Sequence, residues 1–250
     1  MSKIKCVISY DGSGFAGYQI QPGKRTVQGE IEKVLTKIHK GKPVRIYASG
    51  RTDSGVHALG QVIHFETDNI MSAASWKQAL NAMVPHDIFI KDAMRVPDTF
   101  HARFDVVEKE YHYVVSRSKE PDVFKRHYAY HFPYTLDVGR VQRACSCFEG
   151  THDFTTFSSA KSTAKGSKER TLFEVSCEEH GNELIFIFRG SGYLYNMVRI
   201  LVGTLLDIGQ GNMEAGDIPD LFAKKDRRLA GKTVPPEGLY LWHVVYDRVK

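Results

Sequence analysis

A single carboxylate, Asp53, stands in the middle of "ASGRTDSGVHA" (residues 48–58), between the hydroxyls of Thr52 and Ser54, with Arg51 and His57 close by and Gly50 and Gly55 outside them. No second carboxylate lies nearby. Paired acid–base work and a carboxylate-rich metal site are therefore excluded here, and Asp53 would have to act alone, next to cations. A lone aspartate in a glycine-flanked loop commonly serves as a turn or capping residue. Loops held between rigid strands also carry function, and this one gathers a carboxylate, two hydroxyls and a guanidinium within a few residues.

Other chemistries lack their residues. There is no P-loop lysine–serine pair, no G-x-G-x-x-G, no G-x-S-x-G serine and no H-E-x-x-H zinc pair. The "GSG" at 190–192 is expected to open a helix, whose N-terminus could hold a phosphate. Cys145 and Cys147 form C-x-C without a matching His/Cys cluster, so they read as structural thiols.

The chain has 250 residues, 42% hydrophobic and 25% charged, as expected of a soluble globular protein. It shows no apolar run long enough for a membrane span. Its start, "MSKIKCVISYDG", enters a strand directly, so the cytoplasm is the expected location. The net charge of +5 matters only where it is clustered. Clusters occur at Lys24/Arg25, in "AKSTAKGSKER" (160–170) and in "KKDRR" (224–228). Any one of them reads first as a solvated loop or helix face; together, flanking the candidate site, they suit a polyanion.

The elements that must position Asp53 follow from periodicity. "IKCVISYD" alternates as a strand. Thr26 is placed to cap a helix from Val27 to about His39, with Val27, Ile31, Val34, Leu35 and Ile38 as its apolar stripe. Strands are expected at 44–49 and 60–67, with the Asp53 stretch as their connection. Ser72 is placed to cap a helix carrying Trp76, Leu80 and Met83, and a strand follows near 88–96. The first half thus reads β-α-β-β-α-β. The second half begins again with "VEKEYHYVVSR" (107–117), a helix at about 137–148, and strands at 170–178 and 182–189. A long apolar helix from about Tyr193 to Ile208, a short helix near 217–224 and a last strand "GLYLWHVVYD" complete it. The pattern is α+β, with related lobes expected at 1–105, carrying the Asp53 loop, and 106–250.

At this point the residues resemble one family closely. "SGRTDSGVHALGQVIHF" is similar to the signature of the A-type tRNA pseudouridine synthases. "YDGSGFAGYQIQ", "TVQGEIEKVL", "FHARFDVVEKEYHYVV", "HDFTTF", "GYLYNMVRILVGTLLDIGQG" and "PPEGLYL" resemble its other blocks, in the same order, so the likeness covers nearly the whole chain. The chain departs at Tyr18, where the family often has tryptophan, at Lys109, where arginine is common, and at Asn196, in place of a frequent histidine.

The resemblance implies the pseudouridine synthase fold: two RRM-like (ferredoxin-like) lobes with joined antiparallel sheets and a central cleft. It also implies isomerisation of uridine in the anticodon stem-loop of tRNA, without cofactor or metal, by a homodimer. Carried over residue by residue, Asp53 is the nucleophile and Tyr111 stacks on the target base. Arg199 pairs with the catalytic carboxylate, and Leu239 lines the uridine pocket. Arg51 contacts RNA phosphate or positions the loop. The basic residues Arg25, Lys161, Lys165, Lys168 and Arg170 are candidates for the RNA backbone. Arg199 also stands out by its own surroundings, since an arginine among Met197, Val198, Ile200 and Leu201 needs a partner. His57 reads as loop support. Two rival readings stay open: an A-type paralogue with a different RNA target, and a tRNA-binding protein without turnover.

Overall fold

A computed structural model describes residues 1–159 and 166–247. In chain order the first elements are β1 (Ser2–Tyr10), α1 (Val27–Ile38), β2 (Tyr47–Ala48), β3 (His57–Thr67), α2 (Ala73–Asn81) and β4 (Ile88–Val96). After them come β5 (Val106–Ser116), β6 (Tyr130–His131), α3 (Val138–Cys145), β7 (Gly150–Asp153), β8 (Glu169–His180) and β9 (Glu183–Gly190). The last are α4 (Met197–Gly209), α5 (Ile218–Lys224) and β10 (Leu239–Tyr246). Contacts divide the chain into two compact units, Met1–Val107 with the closing segment from Tyr240 onward, and Glu108–Leu239.

In the first unit β1 lies between β4 and β3, antiparallel to both, β2 pairs with β3, and β10 runs parallel to β3 through Tyr240↔His57 and Leu241↔Ala58. The closing strand, last in sequence, thus packs with the first elements. Strand alternation divides the sheet's side chains between two faces. Ile4, Cys6, Ile8, Ile63 and Phe65 are buried on the face that meets the helices, where Phe65 packs edge-on against Trp76 of α2. Thr26 caps α1 by accepting from the Gly29 N–H, and Ser72 caps α2 by accepting from Ser75 N–H. The opposite face carries Lys5, whose ammonium lies 4.3 Å from the Tyr246 ring centre, and His64, stacked on Tyr47 at 5.1 Å.

In the second unit β9 lies between β5 and β8, and β7 continues the ladder on β8. Tyr111, Tyr113 and Val115 of β5 are buried, as are Leu184, Phe186 and Phe188 of β9. α3 and α4 pack together, and a separate aromatic cluster gathers Phe148, Phe154, Phe157 and Phe222.

Several expectations are corrected. The long apolar helix begins at Met197 instead of Tyr193, because Asn196 at its start takes a left-handed conformation (φ 61°) that cannot continue a helix backwards. The "GSG" at 190–192 opens no helix: Gly190 ends β9, and the Ser191 N–H donates to the Thr171 carbonyl. α2 ends at Asn81, whose amide exchanges two hydrogen bonds with the Ile90 backbone, and Met83 is left largely exposed. The strand expected at 44–49 pairs only at Tyr47–Ala48, although Val44 and Ile46 are buried. β6 and β7 had no clear signal in the sequence. Two or four residues make too short a window for a period to show.

His64 supplies a test of the first unit's packing. Burial, with His101 and Lys3 nearby, pushes its pKa down to about 4, and its Nδ1 accepts from the Ala102 N–H at 3.1 Å. The folded state therefore holds this ring neutral, while the unfolded chain protonates it below about pH 6.5. Its stabilising contribution is present above that pH and is lost as pH falls towards 4. The prediction is a urea midpoint that declines between pH 7 and 5. The part due to His64 has a slope of at most about 1.4 kcal/mol per pH unit, and His64→Gln should remove that part. An unchanged slope in the variant would contradict the assignment.

Candidate active site

The Asp53 loop joins β2 to β3 and is fastened on both arms. On its first arm, Gln61 of β3 is fully buried. Its Oε1 accepts from the Ser49 hydroxyl at 2.6 Å, and its Nε2 donates to the Gly50 carbonyl at 2.9 Å. Next to it the buried Tyr10 hydroxyl lies 2.8 Å from Thr52 Oγ1. Burial pushes the Tyr10 phenol up to about 12, so it stays protonated at neutral pH.

On the second arm a turn from the end of β1 closes over the loop. The Gly12 N–H donates to His57 Nδ1 at 3.0 Å, the Asp11 carboxylate lies 3.3 Å from the same nitrogen, and the ring stacks on Tyr240 at 4.8 Å. The Tyr18 N–H donates to the Thr52 carbonyl at 3.0 Å, and the Ser54 hydroxyl to the Phe15 carbonyl at 3.2 Å. Gly55 takes φ 79° and the Val56 N–H closes back on the Asp53 carbonyl at 3.2 Å. Arg51 is exposed, Thr52 buried and Asp53 half-buried. The loop thus presents one partly accessible carboxylate on a backbone tied down from both sides.

In the second unit Tyr111 is buried, with its ring edge-to-face against Tyr193 at 4.9 Å. Tyr193 donates its hydroxyl to the Lys109 carbonyl, and burial raises its pKa well above the ordinary phenol value. Arg199 sits in the first turn of α4. Its Nε donates to the Val234 carbonyl at 2.7 Å and its Nη1 to Asn196 Oδ1 at 3.0 Å. Asn196 therefore both starts the helix and orients the guanidinium. Tyr113 donates to the Pro235 carbonyl at 2.7 Å, which fixes the segment leading to the buried Leu239.

The expected RNA-backbone cations fare unevenly. Arg25 is engaged with Asp87 through two hydrogen bonds of 2.7 and 2.9 Å. Arg170, half-buried, donates to the Ser167 carbonyl at 3.1 Å. Lys168 is half-buried beside it. Lys161 and Lys165 lie outside the described residues. In "KKDRR" each of Lys224, Lys225 and Arg228 meets a carboxylate, on Asp220, Asp153 and Asp226 respectively. That cluster is largely neutralised in place. No group of three or more metal-ligating side chains occurs among the described residues, and no helix among them is long and apolar enough to cross a membrane.

The model of the family described as tRNA pseudouridine synthase matches residues 6–105 and 144–247. This chain belongs to that family. It is 56% identical over 247 residues to tRNA pseudouridine synthase A of Oceanobacillus iheyensis, covering 99% of this chain and 98% of the relative. To the protein of the same name in Geobacillus kaustophilus it is 54% identical over 245 residues, covering 98% of this chain and 95% of the relative. Among solved structures, the archaeal box H/ACA sRNP Nop10–Cbf5 complex matches over 81% of this chain and 43% of that chain, with a TM-score of 0.38 and 10% identity. So remote a likeness adds nothing to the assignment. Membership makes this synthase-family chain an isomerase acting on uridine in tRNA.

The sequence of this family member singles out the Asp53 carboxylate but not what holds its loop. Gln61 and Tyr10 read as ordinary members of alternating strands, and their roles appear only when β1 and β3 pair. Gly12 carried a signal in "YDG", a turn dipeptide at a strand end. Tyr18, the position where the family often has tryptophan, is buried, and its hydroxyl has no hydrogen-bond partner among the described residues. The site there accepts a ring and offers nothing to a phenol oxygen.

A β-carbon on residue 12 would lie 2.0 Å from the Val56 carbonyl oxygen, a backbone atom that cannot move aside without the loop. Gly12→Ala is predicted to cost at least about 2–3 kcal/mol of stability, in the range of overpacked sites, and to raise amide exchange in residues 50–56. A variant with wild-type stability and unchanged exchange there would contradict this reading of the close approach.

Proposed function

We propose that this protein converts uridine to pseudouridine in the anticodon stem-loop of tRNA, with Asp53 as the reacting carboxylate. The observation that carries the proposal is the solitary carboxylate on a loop clamped from both arms, in a chain of this family. The reaction breaks the N1–C1′ bond of uridine, turns the base and joins C1′ to C5; the C5 hydrogen leaves as a proton and the freed N1 takes one up. Atoms and electrons balance without an external oxidant, reductant or group donor. A carboxylate assists either by covalent addition or by acting as a base.

The other roles follow from chemistry and from the resemblance. Tyr111, held edge-on by Tyr193, supplies a ring for the uracil to lie on, which repays part of the cost of taking the base out of its stack. Arg199, oriented by Asn196 and Val234, is the cation that the resemblance pairs with the catalytic carboxylate. Leu239 supplies an apolar wall. Exposed Arg51 is the leading candidate for a phosphate contact. Lys168 and Arg170 are further candidates, and Lys161 and Lys165 belong with them by sequence. Arg25 reaches RNA only at the cost of its pair with Asp87. The protein works in the cytoplasm as a homodimer, without cofactor or metal.

Asp53→Asn keeps the size of the side chain and removes its charge. It is predicted to lower pseudouridine formation on an unmodified tRNA transcript by about 10³-fold or more, with tRNA affinity largely retained. Turnover near the wild-type rate would sink the assignment of Asp53. Equal binding with no turnover by the wild-type protein would favour the rival reading as a binding protein.

A further inference from the structure

Three aromatic side chains of the first unit form an exposed patch apart from the Asp53 loop. Phe104 is 74% exposed, and its ring is stacked on His101 with centroids 4.3 Å apart and planes 29° from parallel. His101 meets Tyr47, itself 45% exposed, at 5.5 Å. His64 lies beneath, within 5.1 Å of both rings. An exposed phenylalanine stacked flat on a neighbour forgoes much of the burial its side chain would gain in a core, so what it gains in place matters.

The turn that presents Phe104 is rigid. The Ala102 N–H donates to His64 Nδ1, the Arg103 N–H to His101 Nδ1, and the Phe104 N–H to the His101 carbonyl. Asp105 accepts from the His101 N–H at 2.7 Å, and Tyr246 donates to the Ala102 carbonyl at 2.6 Å. Phe104 also lines an open cavity of about 410 Å³ with Phe100, Val107, Tyr246 and two aspartates, Asp105 and Asp247, so a planar ring has room beside it, with the phosphates left to the arginines outside. Arg103 is exposed, with its guanidinium carbon 5.9 Å from the Phe104 ring centre. Arg45 is exposed two residues from Tyr47 in a stretch where Val44 and Ile46 point inward.

Register places this patch relative to the reacting carboxylate's loop. Tyr47 pairs with His64, while Gln61 holds Gly50 at the loop's first arm. Three strand positions separate them, about 10 Å along β3, and the odd spacing puts the His64 and Gln61 side chains on opposite faces of the sheet. The patch lies on the sheet face away from α1 and α2.

We propose that Tyr47, His101 and Phe104 form a stacking surface for an unpaired base of the RNA substrate, with Arg45 and Arg103 beside it for backbone phosphates. This rests on the RNA-modifying function proposed above. The occupant is RNA because the patch pairs planar rings with guanidinium groups, the combination that binds bases by their faces and the backbone by charge. Preformed rings lose little freedom on binding, so the stacking gain is retained.

The test uses the full chain and an unmodified tRNA transcript. Phe104→Ala should raise KM by about 5- to 100-fold, the range for loss of one base–aromatic stack, with kcat held within about twofold. Phe104→Trp should restore KM. Arg103→Gln should reduce the slope of log KM against log salt by about one, and Phe104→Ala should leave it unchanged. An unchanged KM overturns the proposal, and so does a rise that tryptophan does not restore, which would mark disturbed packing. Light scattering supplies the last arm: a KM rise accompanied by a change in oligomeric mass assigns the patch to contact between copies and also overturns it. A wild-type protein without turnover defeats the function itself, an outcome distinct from each of these.

Discussion

Two backbone segments of the first unit lie closer together than any side chain would allow, and the Asp53 loop depends on that approach. Gly12 places its Cα against the Val56 carbonyl, and its N–H caps the His57 ring. A few residues on, Gly17 takes φ 106° and lies against Thr52. The turn after β1 can therefore lie directly on the loop after β2. A carboxylate on a free loop would sample many positions and lose the benefit of orientation. Here the entropy of fixing it is met by folding, through hydrogen bonds to the residues on either side of it and to its own carbonyl.

The second unit uses the same economy. α4 is buried along nearly its whole length, and Gly203 admits the Lys232 carbonyl against it, where a β-carbon would lie 1.9 Å away. That approach brings the segment 231–234 along the helix. The Gly231 N–H donates to Thr204, and Arg199 bonds Val234 through both its backbone and its side chain. The guanidinium is thus oriented by the neighbouring strap and by Asn196. The left-handed turn of Asn196 is one that asparagine tolerates better than most residues.

Much of this was legible in the sequence because it rests on local chemistry. The capped helices at Thr26 and Ser72, the strand at 88–96, and the isolated carboxylate between strands all follow from short windows. What escaped depends on pairing between distant segments. Gln61 looks like any polar residue in a β-strand until the loop folds back over it. The 224–228 cluster looks like a basic patch until Asp153, some seventy residues earlier, takes up Lys225. The late start of α4 was hidden because its apolar pattern runs on through Tyr193 and Leu194, and periodicity carries no sign of a single left-handed residue. The Phe104 patch was hidden for a related reason: "FHARF" says nothing of the stacking that three separate segments create.

On the function proposed, the fixed carboxylate serves one reaction, in which uridine exchanges its N1–C1′ bond for a C5–C1′ bond and gives up its C5 hydrogen. The most direct measurement is tritium release from a tRNA transcript labelled at C5 of uridine, incubated with the pure protein, together with the position of each new pseudouridine. The account predicts release in step with pseudouridine formation, confined to the anticodon stem-loop. A tRNA that binds but releases no tritium, or releases it only from uridines elsewhere, would contradict it.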